Sequence, residues 1–459
     1  MNRRLLYALI VVALALVLGA AAALRLFDAP PALRNRVPVD GLAGWPGSNR
    51  RFHITVPAGA SQLEFALYGR GSAAAINVYA KYGAPPTLTD FDAKSTGDAA
   101  VKTLAIAAPR AGTYYLLLHG AHGFYARVAL VGSFAPRDAV FKMGMHAHRL
   151  YNGGGSGDGP PDAEPQFDYG VVRDWDIDHL HDAEVWKLDG SIDFARIDRV
   201  YAGHARHGAR VIKTFGMVPT WAALRPQEPN PQYPAWPGGK SGPRDLNQYE
   251  DYVYRFVAHE KDRLWAVEGW NEPYACPGAP PEFTTMTPTR LADVQKRIYL
   301  AAKRADPKIL VFSPAQAFLC GIPTILNART SQNEPISRYF DALAWHAYNR
   351  SARGNAGPSF AMEVAQVRHY LADAGLPDMP IIDTEHGWLE APKEGGREFH
   401  AMSDAAKGEV LYQTAQLAKS LGVLGVVWYG YDDDLVGKPM TSKAISARLQ
   451  QAYRELDTH

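Results

Sequence analysis

Two glutamates, Glu272 and Glu385, carry the clearest chemical signal in this sequence. Each lies just after or at the end of a short apolar run, and the interval of 385 − 272 = 113 residues suits three strand–helix units. Carboxyl groups held opposite each other can divide a reaction between them. One protonates the leaving oxygen of a glycoside while the other attacks the anomeric carbon or activates water. A lone glutamate at a strand end is more often an ion-paired or surface group, so this interpretation depends on the elements that position the pair.

The region from residue 136 to 459 alternates short apolar runs with helical patterns. Eight runs are rich in β-forming residues: Lys142 to Met145, Val171 to Trp175, Val211 to Gly216, Trp265 to Trp270, Ile309 to Phe312, Leu343 to His346, Ile381 to Thr384 and Leu424 to Tyr429. Between them, apolar residues such as Phe194, Ile197 and Tyr201 recur at three- and four-residue intervals, which marks one buried helix face. Eight strands joined by crossover helices predict a (β/α)8 TIM barrel of the α/β class.

Glycine and proline residues mark where the helices should end. Gly208, Gly375 and Gly422 occupy positions expected of helix C-caps, and Pro307 should stop the helix that precedes Ile309. The first crossover is different, because residues 152–165 are rich in Gly and Pro and lack a helical pattern. We expect irregular chain there.

In a TIM barrel the chemistry belongs to residues at the carboxyl ends of the strands. The polar and aromatic side chains expected at that end are His146, His148, Arg173, Asp174, Asp176, Asn271, Glu272, His346, Tyr348, Asp383, Glu385, His386, Trp428, Asp432 and Asp433. Glu272 and Glu385 end strands four and seven, which lie nearly opposite each other across the mouth of such a barrel. The opposed pair favours glycoside chemistry.

Several motifs around these residues resemble a known group of enzymes. Trp270-Asn271-Glu272-Pro273 resembles the strand-four signature of clan A glycoside hydrolases, and Ile382-Asp383-Thr384-Glu385 resembles their strand-seven end. Residues 185–190, 193–199 and 215–222 further resemble glycoside hydrolase family 39, including its biofilm-exopolysaccharide hydrolases of the PslG type. The likeness spans residues 141–459. It implies that Glu272 is the acid/base and Glu385 the nucleophile of a retaining enzyme.

The two steps of such a reaction set different demands on the two carboxyl groups. Glu272 must arrive protonated, so we expect apolar walls such as Trp270 around it, whereas Glu385 must stay ionised and needs hydrogen-bond donors. Arg173 is the best donor, and Tyr348 or His346 could assist it and lower the pKa of Glu385. Barrel-rim ion pairing of Arg173, and ordinary packing of the other two, are the alternatives.

Other residues are candidates for substrate binding. Asn271 can donate to the sugar 2-hydroxyl, a bond that strengthens in the transition state. Trp428 offers a flat face for the sugar ring next to the scissile bond, and Trp221, Tyr274 and Trp388 could extend that platform. Large aromatic residues also cap barrels, so packing is the competing interpretation for these three.

A metal site is not expected. His146, His148 and His346, with Asp432 or Asp433, partly match the metal cradle of amidohydrolase barrels. That cradle also needs a lysine on strand four and a histidine on strand five, where this chain has Asn271-Glu272 and Ser313-Pro314. We therefore predict neither a metal nor another cofactor.

The N-terminal residues 1–27 form a separate targeting segment. Arg3 and Arg4 precede an uncharged apolar run from Leu5 to Leu24, which is 24 − 5 + 1 = 20 residues and long enough to span a bilayer. The charge order predicts a cytoplasmic amino end and a periplasmic body anchored in the inner membrane. A cleaved signal peptide is the alternative, since Ala20 to Ala23 offers small residues for cleavage, and the body would then be periplasmic or secreted.

After a Pro-containing linker at residues 28–44, residues 45–135 show short strands separated by turn residues, which predicts a small β-sandwich domain. Residues 78–87 and 109–115 resemble the pre-peptidase C-terminal type of secreted accessory sandwich. The module carries no catalytic constellation. Its exposed aromatic residues could hold polysaccharide, or it could serve as a spacer.

The chain has two cysteines, and both fall in loops on the catalytic face. Cys276 follows the strand-four motif and Cys320 follows strand five, so adjacent loops bring them close enough for a disulfide in an exported protein. Two unpaired buried thiols are the alternative.

Charge and composition narrow the class of partner. The chain has 48 Lys and Arg residues against 47 Asp and Glu residues, which disfavours a nucleic-acid partner.

We expect an exported retaining glycoside hydrolase that cuts a β-linked bacterial exopolysaccharide, in endo mode. The alternatives are a non-catalytic polysaccharide-binding or export scaffold, and an exo-acting β-glycosidase such as a β-xylosidase.

Overall fold

The structure, a computed structural model, describes residues 30–69, 75–97, 101–136, 140–151, 164–274, 283–317, 319–349, 356–388, 403–430 and 442–458. The predicted anchor or signal peptide at residues 1–27 lies outside this part of the chain. Among the described helices, none combines the length and the apolar character needed to cross a membrane. The chain forms two compact units, built mainly from Val39–Gly132 and Ser133–His459.

The first unit consists of two four-stranded antiparallel sheets. Its strands are β1 (Val39–Gly44), β2 (Asn49–Val56), β3 (Ala60–Gly69), β4 (Ile76–Tyr82), β5 (Ala93–Ser95), β6 (Val101–Ala107), β7 (Gly112–Gly120) and β8 (Tyr125–Pro136). They are ordered β1-β8-β3-β6 and β2-β7-β4-β5. On β2, Phe52, Ile54 and Val56 are buried and alternate with more exposed residues, as a strand with one covered face requires. The predicted all-β module is confirmed.

The predicted linker at residues 28–44 needs a correction, because β1 lies within it. β1 pairs with β8 through an irregular register, in which Val39 faces Leu130 and Leu42 faces Val128. Its sequence, VDGLAG, buries Leu42 but shows no alternation of apolar and polar residues. A strand that depends on one buried leucine and on edge pairing gives no periodic signal.

The second unit is an eight-stranded parallel barrel. Its strands are β9 (Lys142–Met145), β10 (Val171–Asp174), β11 (Arg210–Thr214), β12 (Leu264–Glu268), β13 (Leu310–Phe312), β14 (Leu343–Asn349), β15 (Ile381–Trp388) and β16 (Gly425–Trp428). Neighbours follow the order β13-β12-β11-β10-β9-β16-β15-β14. Isolated parallel bridges, Phe312 to Ala342 and Gln316 to Trp345, join the two ends of this order. Each of the eight predicted runs overlaps one of these strands.

Helices alternate with the barrel strands along the chain. The α-helices are α1 (Asp182–Val185), α2 (Phe194–Ala205), α3 (Leu246–Glu260), α4 (Pro288–Ala305), α5 (Ile322–Leu326), α6 (Ala356–Asp373), α7 (Asp404–Ser420) and α8 (Lys443–Leu456). Short 3-10 helices occupy Thr220–Ala222, Gly239–Ser241, Leu319–Gly321 and Ile336–Tyr339. The described parts of the first crossover, residues 146–151 and 164–170, contain no helix, as predicted.

Local sequence explains where several of these helices begin and end. Asp193 and Asp245 accept backbone N–H groups at the starts of α2 and α3, which satisfies donors that a helix start leaves free. Gly208 lies three residues beyond a helix, Gly375 and Gly422 lie two residues beyond one, and their φ angles are 76, 77 and 68°. Only glycine adopts that backbone at little cost, so the predicted stops are confirmed.

Candidate active site

Arg173, near the carboxyl end of β10, is the centre of a buried ionic cluster. It is fully buried. Its Nε and Nη2 atoms donate to Glu268 Oε1 at 2.8 and 2.5 Å, Nη2 also donates to Asn271 Oδ1 at 2.7 Å, and Nη1 donates to Glu385. Burial acts to lower the pKa of Arg173, but the charges of Glu268 and Glu385 outweigh it and raise that pKa. The guanidinium is therefore a fixed positive charge between two carboxylates.

Glu385, on β15, accepts hydrogen bonds from two residues on other strands and has His346 beside it. Arg173 donates to Oε1, the hydroxyl of Tyr348 donates to Oε2 at 2.6 Å, and His346 Nδ1 lies 3.3 Å from Oε2. Burial raises the pKa of Glu385 above its ordinary value, and the charge of Glu272 adds to this. The donors act in the expected direction, but the net lowering predicted from sequence is wrong because burial outweighs them.

Glu272 lies just beyond β12 with an unusual backbone. Its φ of 37° falls in the left-handed region, which costs a non-glycine residue free energy that the surrounding structure must supply. Its backbone N–H donates to Ala315 O at 2.9 Å, and Trp270 Nε1 donates to Phe283 O at 2.7 Å. These bonds hold the strained turn, which aims the Glu272 side chain at His346 Nδ1, 2.5 Å from Oε1.

The two carboxyl groups are close to each other. One oxygen of Glu272, one nitrogen of His346 and one oxygen of Glu385 all lie within 4.8 Å of one another. The exposed fractions of Glu272 and Glu385 are 9% and 5%. In retaining glycosidases the carboxyl groups are about 5–5.5 Å apart, whereas inverting enzymes need about 6.5–9.5 Å to admit a water. The arrangement suits attack by a carboxylate.

Of the residues predicted to bind substrate, four surround this pair. Arg173, Asn271, His346 and Tyr348 all take part in the contacts above. Burial lowers the pKa of His346 to about 4 and raises that of Tyr348, so both are neutral near pH 7. Glu385 thus accepts one hydrogen bond from a neutral hydroxyl, that of Tyr348, and one from the charged guanidinium of Arg173.

The predicted aromatic platform is dispersed. Trp428 is fully buried, with its ring 4.4 Å from that of His386, while Trp221 packs edge-on against Trp186 at 4.8 Å. Tyr274 is half-buried and its hydroxyl donates to Met286 O at 3.2 Å. Trp388 ends β15, but its side chain lies outside the described residues. These four stay predictions as sugar contacts.

Both parts of the chain are similar to known proteins. Residues 48–120 match the family model of the bacterial pre-peptidase C-terminal domain. The resemblance expected for the N-terminal module is confirmed. A β-xylosidase of Geobacillus stearothermophilus is 26% identical over 250 residues, which cover 49% of this chain and 45% of the relative. The chain thus spans about half the length of that relative, and the expected resemblance to glycoside hydrolases is confirmed.

Two solved structures are also similar. A glucosidase from Croceicoccus marinus aligns with a TM-score of 0.49 at 17% identity, covering 69% of this chain and 67% of that one. A family 39 β-xylosidase from Caulobacter crescentus aligns with a TM-score of 0.42 at 21% identity, covering 57% and 55%.

Sequence reasoning missed Glu268 and the Asp383–His386 contact. Glu268 is fully buried inside β12 and also accepts from Thr214 Oγ1 at 2.9 Å. Asp383 Oδ2 lies 2.6 Å from His386 Nδ1, and Asp383 Oδ1 accepts from Ala347 N at 3.1 Å. A charged residue within an otherwise apolar strand was the available signal for Glu268, since such a residue needs a buried partner.

A second histidine cluster lies at the start of the barrel. His146 Nε2 and His148 Nε2 lie 2.8 and 3.5 Å from the same oxygen of Asp176. Burial acts to raise the pKa of Asp176, but the two histidines hold it well below its usual range. The spacing of these three residues, like that of Glu272, His346 and Glu385, could hold a metal ion. Hydrogen bonds among the residues themselves account for both groups.

Cys320, in the loop after β13, forms a disulfide. The chain has one other cysteine, Cys276, which lies outside the described residues. The loop after β13 is also fixed by Gln316, whose Oε1 accepts from Tyr274 N at 3.4 Å. A disulfide and a hydrogen bond therefore both restrain the loop after β13.

Proposed function

We propose that this chain is a retaining glycoside hydrolase that cuts a β-linked polysaccharide, with Glu272 as acid/base and Glu385 as nucleophile. The observation that carries the proposal is the approach of one oxygen from each carboxyl group to within 4.8 Å. That separation leaves too little room for a water between nucleophile and anomeric carbon. The identity to a β-xylosidase supports the same class of reaction.

In the first step, Glu385 attacks the anomeric carbon while Glu272 gives its proton to the departing oxygen. A covalent glycosyl-enzyme and a free alcohol result. In the second step, Glu272 takes a proton from water, which attacks the same carbon and releases Glu385. His346 is neutral near pH 7, so its Nδ1 can accept a hydrogen bond from protonated Glu272, whose Oε1 lies 2.5 Å away. That bond orients the carboxyl proton until it is transferred.

Arg173 and Tyr348 prepare Glu385 for attack. Their bonds to separate oxygens fix the carboxylate plane, and both favour the ionised form against the effect of burial. Asn271 accepts from Arg173 through Oδ1. That bond turns the amide nitrogen of Asn271 to the other side, where it can donate to the sugar 2-hydroxyl.

The finer proposal is an exported enzyme that acts in endo mode on a bacterial exopolysaccharide. The apolar run from Leu5 to Leu24 supports export and an inner-membrane anchor with a periplasmic body. The disulfide at Cys320 supports an oxidising compartment. An exo-acting β-xylosidase is the second candidate, favoured by the similarity to a protein of that name.

Hydrolysis of a panel of 4-nitrophenyl β-glycosides and bacterial exopolysaccharides tests the proposal. We expect cleavage with retained configuration by NMR, and covalent labelling of Glu385 by a 2-deoxy-2-fluoro glycoside, located by peptide mass spectrometry. Release of long fragments from polymer indicates endo action, and release of single sugars indicates exo action. An inverted first product, or full activity in Glu272→Gln and Glu385→Gln, would show that the assignment is wrong.

A further inference from the structure

An aromatic wall stands beside the carboxylate pair. We use this name for Trp175, His181, Tyr233, Trp236 and Phe283, which come from the loops after β10, β11 and β12. Tyr233 and Trp236 stack with ring centroids 5.2 Å apart and an interplanar angle of 18°, and both are half-buried. Trp175 and His181 complete the cluster and are only 3% and 4% exposed. The wall thus offers flat apolar surface at its front.

The wall is linked to Glu272 by contacts and by charge. Burial raises the pKa of Tyr233, and the charges of Asp176, Glu385 and Glu272 all raise it further. The Tyr233 hydroxyl also accepts a hydrogen bond from the Trp175 side chain. Phe283 N donates to Glu272 O at 3.4 Å, and the rings of Trp175 and Tyr233 lie 6.1 and 6.4 Å from the ring of Phe283. The wall therefore adjoins Glu272 by direct contact.

His181 gives the wall unused hydrogen-bonding capacity. Trp175, Tyr233 and Trp236 surround its ring at centroid distances of 5.0, 5.3 and 4.8 Å. Both of its ring nitrogens are buried, and neither has a partner among the described residues. Burial lowers the pKa of His181 to about 3, so the ring is neutral and carries one donor and one acceptor. Buried polar atoms without partners cost free energy, which a bound hydroxyl would recover.

The loop that bears the wall is rigidly tied. Asn230 accepts from Tyr233 N at 3.3 Å and donates to Trp236 O at 3.1 Å. Arg225 Nη2 donates to Thr285 Oγ1 at 2.7 Å, which links this loop to the one after β12. Binding to a fixed surface loses less conformational entropy than binding to a mobile one.

We propose that the aromatic wall is a subsite for an uncharged sugar unit that adjoins the unit held between Glu272 and Glu385. This inference rests on the proposed function. The exposed part of the Tyr233–Trp236 stack packs on the apolar face of the sugar, and a sugar hydroxyl pairs with a ring nitrogen of His181. Two nearby carboxylates, Asp176 and Glu385, disfavour an acidic sugar at this place. The subsite therefore selects neutral chains of at least two units.

The test compares substrates of different length. We expect Trp236→Ala and His181→Phe to lower kcat/KM at least tenfold more on neutral β-linked oligosaccharides than on the 4-nitrophenyl β-glycoside of the same sugar. Tyr254→Ala is the matched control, because Tyr254 is a half-buried tyrosine on α3 that packs under Arg304. It should change the two values by equal factors. Equal losses on both substrates in the wall variants would overturn the separate subsite.

Calorimetric titration separates this inference from the proposed function. Xylo-, gluco- and galacto-hexasaccharides are titrated into the Glu385→Gln variant, with and without Trp236→Ala. Binding by at least one sugar that falls tenfold or more with Trp236→Ala supports the subsite even if the native protein hydrolyses nothing, in which case the proposed function fails. Hydrolysis by the native protein with binding unchanged by Trp236→Ala, or no binding of any of the three sugars, overturns the subsite alone.

Discussion

Two buried ionic clusters on neighbouring strands of the barrel differ in one respect. The Arg173 cluster, formed by Arg173, Glu268, Asn271 and Glu385, reaches a carboxylate that remains 5% exposed. The Lys213 cluster, formed by Lys213, Asp174, Asp182, Tyr201 and Tyr252, is sealed, with the Lys213, Asp174 and Asp182 side chains fully buried. Both are dense in charge, so charge density alone does not mark an active site.

The Lys213 cluster shows what a structural ion group looks like here. Lys213 Nζ lies 3.4 Å from Asp174 and 3.3 Å from Asp182, and the hydroxyls of Tyr201 and Tyr252 donate to those carboxylates at 2.5 and 2.8 Å. Every member faces another member. In the Arg173 cluster, one oxygen of Glu385 instead lies within 4.8 Å of an oxygen of Glu272. A second carboxyl group at that distance is the difference that predicts glycoside cleavage.

Replacing a carboxyl group in each cluster should give the largest contrast. We expect Glu385→Gln and Glu272→Gln to lower kcat/KM about 10⁴-fold, or about 5.5 kcal/mol, because each removes a reacting group. Asp182→Asn is the matched control and should leave kcat of the folded protein within about threefold. Steady-state kinetics on an aryl β-glycoside measures this, and a comparable loss in Asp182→Asn would erase the distinction.

Removing the cation of each cluster should affect stability. Arg173→Met and Lys213→Met each leave two buried carboxylates without their cation, which should lower the free energy of unfolding by about 3–5 kcal/mol. Only the Arg173 variant should also lose activity while folded. Urea unfolding followed by circular dichroism, together with kinetics below the transition, separates the two effects. An unchanged midpoint for Lys213→Met would contradict the structural role of its cluster.

A buried residue outside both clusters extends the comparison to pH. The pKa of His181 is lowered to about 3 by burial, so the unfolded state takes up a proton near pH 6.5 that the folded state does not. Stability from this residue is present above pH 6.5 and is lost as the pH falls toward 3, by about 1.4 kcal/mol per unit. His181→Phe should flatten the fall between pH 6.5 and 4.5 by about 2–3 kcal/mol. The half-buried neighbour His179 is the control; an equal change in His179→Gln would refute this cause.

The smallest predicted effect concerns one hydrogen bond in the Arg173 cluster. Tyr348→Phe removes a donor to ionised Glu385, so the pKa of Glu385 should rise further and the acidic limb of the kcat/KM profile should move to higher pH. We expect a loss of about tenfold, or about 1.4 kcal/mol, at pH 6 and a smaller loss at pH 8. A uniform loss at every pH would indicate that Tyr348 binds substrate only.

The sequence alone determined the architecture and the end of the barrel at which two glutamates meet. Eight apolar runs, helical periodicity and glycine stops predict consecutive parallel strands, and these carry Glu272 and Glu385 to the same end of the barrel whatever the details of packing. Arg173, Asn271, His346 and Tyr348 were found for the same reason, because each lies at a strand end. These inferences need only local pattern and chain order.

Only the tertiary structure decided which side chains meet. Register decides that Arg173 pairs with Glu268 and that Lys213 is fully buried. The aromatic wall depends on loops that follow different strands. The register shifts between Trp345 and His346, for example, where β14 pairs with β15. A shift of one residue exchanges the faces of a strand, and nothing in local sequence records it. The pKa of Glu385 was misjudged for the same reason, since burial is a property of the closed barrel and not of the motif.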